Sequence, residues 1–95
     1  MAETTVDDLS IEYSEDGQVL VKQLDKKVLT KGAWSTVMYK FQDWNKAKEE
    51  YGPPKFTIRR YQKRNGEYFQ KSKFNISSVA QAQSIIDALQ EWIAE

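Results

Sequence analysis

The chain has 95 residues, fourteen Lys and Arg balanced by fourteen Asp and Glu, no Cys and no His. Such a length makes one small domain that buries only about two-thirds of its unfolded surface, so a subunit interface would add stability. Without Cys there is no disulfide framework, and without His the commonest general base and metal ligand are gone, so an enzyme ranks last and no cofactor or metal is expected. No apolar run approaches the ~20 residues of a membrane span, and no basic stretch leads into an apolar one at the start. The expectation is a soluble protein with no membrane partner, cytoplasmic and nucleoid-associated in a bacterium or nuclear in a eukaryote.

Residues 1–16 hold Glu3, Asp7, Asp8, Glu12, Glu15 and Asp16 and no base. They read as an acidic, mobile arm ahead of a domain over 17–95. The arm is either an inert tail or a segment that competes with nucleic acid for basic surface. Within it Ile11 to Tyr13 reads as a short strand, and Glu15-Asp16-Gly17 as a turn where Gly17 can take positive φ. Residues 17–75 then carry all fourteen bases against five acids, a surplus of nine. A basic body between acidic ends fits nucleic-acid binding better than the total charge suggests.

Gln18 to Thr30 contains two strand-like pieces, Val19-Leu20-Val21 and Val28-Leu29-Thr30. They form either a hairpin or one long strand with a bulge, and Lys22, Lys26, Lys27 and Lys31 supply charge. Trp34 to Trp44 is a strong strand. Its Val37, Tyr39 and Phe41 row reads as the core face, leaving Trp34, Met38, Lys40 and Trp44 on the open one. Lys46 to Pro54 is a loop ended by Gly52-Pro53-Pro54. Lys55 to Lys63 is the next strand. Phe56 and Ile58 read as core, and Lys55, Thr57, Arg59, Tyr61 and Lys63 as an open face that mixes cations with an aromatic ring. Such a mixture suits a single-stranded nucleic acid, with cations on phosphates and a ring under a base. An ordinary exposed face of an antiparallel sheet carries the same residue types. Asn65-Gly66 is a hairpin signal, and Glu67 to Ile76 is the partner strand. Its Phe74 and Ile76 join Phe56 and Ile58 in the core, while Lys71, Lys73 and Phe69 extend the open face.

Ser78-Val79-Ala80-Gln81 has the pattern of a capping box. Ala82, Ile85, Ile86, Leu89 and Ile93 follow at three- and four-residue spacing, with Trp92 beside them, and predict an amphipathic helix. Its apolar stripe packs on the sheet or on a partner chain. Strands followed by one helix give an α+β domain: a four- or five-stranded antiparallel sheet with one C-terminal amphipathic helix.

Gly32-Ala33-Trp34, Trp44, Lys-Phe-Thr-Ile-Arg-Arg-Tyr at 55–61 and Phe-Asn-Ile-Ser at 74–77, closed by the helix, together resemble the positive cofactor four family of transcriptional coactivators, in its short bacterial form. The resemblance covers roughly residues 18–93. It implies a four-stranded sheet, a helix that dimerises with its mate through Ile85, Ile86, Leu89, Trp92 and Ile93, and single-stranded DNA bound with little sequence preference. By the same resemblance Arg59 contacts phosphate, Tyr61 stacks on a base, and Lys40 and Lys73 line the groove. The chain departs from the family pattern at Tyr61, where tryptophan is frequent nearby, and at Ser72-Lys73, where Lys-Gly is frequent.

The leading expectation is therefore a homodimeric single-stranded nucleic-acid-binding protein acting in transcription, replication or repair. Its binding residues would be Lys22, Trp34, Lys40, Trp44, Lys55, Arg59, Tyr61, Lys63, Lys71 and Lys73. The partners are single-stranded DNA, with RNA as the alternative, a second copy of the chain, and transcription or replication proteins. A sheet module that reads double-stranded DNA and a protein-interaction module without nucleic-acid binding are the competing readings.

Overall fold

Two dipeptides that accept positive φ make the tight turns. Asp16-Gly17 (φ 50° and 80°) joins β1 (Tyr13–Glu15) to β2 (Gln18–Thr30), and Asn65-Gly66 (φ 52° and 80°) joins β5 (Lys55–Arg64) to β6 (Glu67–Ile76). Paired positive φ values twist a two-residue turn in the same sense as its strands. Between the hairpins run β3 (Trp34–Asn45) and the short β4 (Glu50–Tyr51), and α1 (Val79–Ile93) follows β6. The computed structural model describes residues 6–95. Its strands form one antiparallel sheet in the order β1-β2-β3-β5-β6, with β4 paired to the end of β3. This is the predicted α+β class with a slightly larger sheet. The loop after β3 folds back on it, with Gly52 N–H donating to the Asp43 carbonyl at 2.9 Å.

Residues 18–30 form one long strand rather than a hairpin. Leu24 and Leu29 fall out of register with β3, and Lys71 falls out of register with β5. Each inserted residue bends its strand and adds twist, so the sheet curls and has a concave and a convex face.

Register decides which side chains share a face. Val37 lies opposite Arg59, and Tyr39 opposite Thr57. Directly opposed residues point the same way. Val37, Tyr39 and Phe41 therefore share the concave face with Lys55, Thr57, Arg59 and Tyr61, and not with Phe56 and Ile58. The two apolar rows that the sequence reading placed in one core lie on opposite faces.

The main core fills the concave side. It holds Val37, Tyr39, Tyr61, Tyr68, Leu9 and Ile11, with Val21, Val28 and Phe41 at its margin. Residues 1–5 of the expected arm lie outside the described residues. Two residues further along that segment enter the core, Leu9 at 6% exposure and Ile11 at 8%. On the convex side Ile76 is buried, Phe56 and Ile58 are half-buried, and Phe74 is 52% exposed. Phe74 is thus no core residue: α1 meets the sheet mainly along β6 and covers little of this face.

The start of α1 is capped as predicted. Ser78 Oγ accepts the Gln81 N–H at 3.1 Å, and Gln81 Oε1 reaches back to the Ser77 N–H at 2.8 Å. Such a cap contributes typically ~1 kcal/mol. No residue of α1 is buried. Ala82, Ile85 and Ala88 are half-covered, while Val79, Ile86, Leu89, Trp92 and Ile93 are exposed.

Candidate nucleic-acid interface

The cross-strand rows place the predicted residues on two faces instead of one. At the end of the sheet where the β2–β3 connection meets the β5–β6 hairpin, Trp34, Gln62 and Phe69 form one convex row across three strands. Trp34 is 43% exposed and Phe69 41%, on either side of Gln62. In the adjoining row Thr36, Arg60 and Ser72 line up, and the Arg60 guanidinium lies 4.8 Å from the Trp34 ring centroid. Lys31, Arg64 and the bulged Lys71 are exposed around this end, while Lys63 lies on the concave side in the row of Tyr68.

Hydrogen bonds tie this end together. Lys63 N–H donates to the Ala33 carbonyl at 2.7 Å. The Gly32 carbonyl accepts from the Ser35 hydroxyl and from the Tyr68 hydroxyl, each at 3.2 Å. Lys63 Nζ stands 5.6 Å over the Tyr68 ring. The aromatic pair and its cations thus sit on a braced platform, which costs less ordering on binding than a loose loop would.

The opposite end of the convex face carries a second cluster. Trp44 faces Tyr51 across β3 and β4, their rings edge to face with centroids 5.0 Å apart. Lys22 Nζ lies 5.1 Å over the Tyr51 ring. The Tyr51 hydroxyl donates to the Val19 carbonyl at 2.9 Å and fixes the ring. Lys40 is exposed between the two clusters, opposite Phe56.

The concave face holds the remaining predicted residues. Lys55 is paired with Asp43 at 2.9 Å; so exposed a pair is worth ~0–1 kcal/mol. Arg59 stands in one row with Val37 and Lys73, and its Nη1 donates to Gln70 Oε1 at 3.0 Å. Tyr61 is 5% exposed and its hydroxyl meets that of the fully buried Tyr39 at 3.0 Å. Burial pushes the Tyr39 phenol far above its ordinary value; the Tyr61 hydroxyl adds to the rise and the Arg59 charge opposes it. In this arrangement Tyr61 is a core residue, with no open ring face to offer a base. That is a correction to its predicted stacking role, and its cause is the β3–β5 register.

Arg60, in the same alternating row as Phe56 and Ile58, was absent from the predicted open face and was missed as a partner of Trp34. The Asn-Gly turn was the available signal, because a two-residue turn fixes the pairs 64–67, 63–68 and 62–69 that build the Gln62–Phe69 row. Among the described residues no acidic cluster could hold a metal ion, and no helix is long and apolar enough to cross a membrane. Set against family models, curated proteins and solved structures, the chain matches none.

Proposed function

We propose that the chain is a homodimeric single-stranded nucleic-acid-binding protein with little sequence preference, acting in transcription, replication or repair. The observation that carries this reading is the exposed Trp34–Phe69 row, with Arg60 over Trp34 and Lys31, Arg64 and Lys71 around it. Bases stack on the rings at ~1–3 kcal/mol each, and the cations take the phosphates. Both contacts are indifferent to base identity. An antiparallel sheet closed by one helix is the coarse architecture that the resemblance to positive cofactor four coactivators implies, and DNA is proposed as the ligand on that resemblance. The exposed Val79, Ile86, Leu89 and Ile93 stripe on α1 supports a second copy as partner.

The test is binding of a labelled single-stranded oligonucleotide and of its duplex across a salt series. Four cations at the platform predict a log–log salt slope of about −2.8 for a single strand, at ~0.7 per neutralised phosphate. Preference for duplex would replace this reading with the groove-reading sheet. Absence of binding at low salt by the folded protein would leave an interaction module.

A further inference from the structure

We propose that residues 9–12 are a displaceable strap that closes the concave face, and that the phosphates of a bound single strand take its place on Arg59 and Lys73. This rests on the single-strand-binding reading above and adds a regulated second part to the same interface.

The strap is seated but weakly joined. Leu9 and Ile11 pack on Val37, Tyr39, Tyr61 and Tyr68, yet residues 9–12 belong to no strand and add no ladder to the sheet. Side chains hold them instead. Gln23 Oε1 accepts from the Ser10 hydroxyl at 3.0 Å and from the Ile11 N–H at 3.1 Å. Glu12 Oε1 accepts from the Gln23 N–H at 3.2 Å. Lys26 Nζ donates to the carbonyls of Asp7 and Leu9, at 2.9 and 2.7 Å. Opening the segment costs the burial of Leu9 and Ile11 but breaks no strand ladder, so it opens below the free energy of global unfolding.

What the strap faces is cationic and incompletely paired. Ile11 and Arg59 line one cavity of about 320 Å³, together with Asn75 and the Lys55–Asp43 ion pair, so Arg59 is its uncompensated cation. Arg59 Nε is sealed from solvent and has no hydrogen-bond partner. A guanidinium N–H left so costs stability, and the fork that grips a phosphate needs Nε and Nη together. Lifting the strap would free that fork beside Lys73. The strap carries one acid, the exposed Glu12, and the exposed Asp7 and Asp8 precede it, so this stretch of chain has the same sign of charge as a strand of phosphates. The route between the two parts of the interface is short in sequence. Lys71, bulged on edge strand β6, lies between Phe69 on the convex row and Lys73 on the concave one.

Amide exchange in the full chain, free and saturated with a single-stranded oligonucleotide, tests this directly. The expected result is that the Ile11 and Glu12 amides lose protection on binding while the β3 and β5 amides keep theirs. Gln23→Ala, which removes the anchor of Ser10 and Ile11 and touches no proposed phosphate contact, should tighten the apparent Kd about three- to tenfold, the factor set by the closed fraction of the strap. Arg59→Gln in that background should erase the gain. Binding with the Ile11 amide still protected, and with Gln23→Ala at wild-type affinity, would overturn the strap and leave the single-strand reading intact. No binding at any salt would overturn both.

Discussion

Trp34→Ala is the sharpest perturbation of the proposed interface. The Arg60 guanidinium, 4.8 Å from the ring centroid, covers one side of the indole, and 43% of the residue stays exposed. One base can therefore stack there per protomer. Losing that stack removes ~1–3 kcal/mol, or a factor of about 5 to 140 in Kd. The cation–π contact with Arg60 adds ~0.5–1 kcal/mol to the positioning of the ring, so Trp34→Phe should fall between wild type and Ala. The fold should hardly notice, because surface substitutions away from caps and cores stay within ~0.5 kcal/mol. Fluorescence anisotropy with a labelled oligonucleotide gives the affinity, and a urea melt gives the stability. A Trp34→Ala protein that is as stable as wild type and binds within twofold of it would refute the stacking platform.

The Tyr39–Tyr61 pair should dominate local stability. Tyr61→Phe leaves the buried Tyr39 hydroxyl unpaired at a cost of ~1–3 kcal/mol, whereas Tyr39→Phe/Tyr61→Phe together should cost less than the two single changes summed, as urea melts would show. Because burial raises the folded pKa of Tyr39, only the unfolded phenol ionises near pH 10, so stability should be unaffected below that pH and fall above it, and Tyr39→Phe should flatten the fall in melts across the alkaline range. Ser78→Ala removes the acceptor for the Gln81 N–H and should lower stability by ~1 kcal/mol in a chemical melt. Leu89→Asp, on the exposed stripe of α1, should yield a monomer in sedimentation experiments that still binds a short oligonucleotide but loses avidity on a long one.

The legible parts of the sequence were those fixed by local physics. Asn65-Gly66 announced its hairpin because few other pairs accept two positive φ values. The α1 stripe and its cap were read from spacing and from Ser78 and Gln81, whose partners lie within four residues. What stayed hidden was non-local. Each strand had two apolar rows, and nothing within one strand says which row meets which. Pairing Val37 with Arg59 settled it, across a nine-residue connection whose own geometry, including the fold-back of Glu50–Tyr51 onto β3, no residue pattern discloses. The bulges at Leu24, Leu29 and Lys71 compounded this, since one inserted residue reverses the facing of everything beyond it. Leu9 and Ile11 were likewise unreadable, being two apolar residues in a stretch whose composition otherwise says solvent.

The same register that buried Tyr61 also leaves the chain short of cover for its second apolar face. A compact 95-residue domain has a radius of gyration of about 12.4 Å, against 15.2 Å here. Its accessible surface should be about 5,700 Å², against 6882 Å². The excess is total surface, polar and apolar together, and marks an open, thinly covered sheet. The incompletely covered groups form two apolar sets, the half-buried Met38 and Ile58 with the exposed Phe74 on the convex face, and the exposed Val79, Ile86, Leu89 and Ile93 on α1. A two-fold axis would let each set serve both copies, as closed symmetry requires. The acids Asp87, Glu91 and Glu95 crowd the C-terminal half of the helical region, so an antiparallel crossing of the two helices keeps them apart and aligns opposing macrodipoles. Neither apolar set includes Trp34, Arg60 or Phe69. Dimerisation so arranged would leave two stacking platforms free, which is the condition for a long strand to gain avidity from binding both.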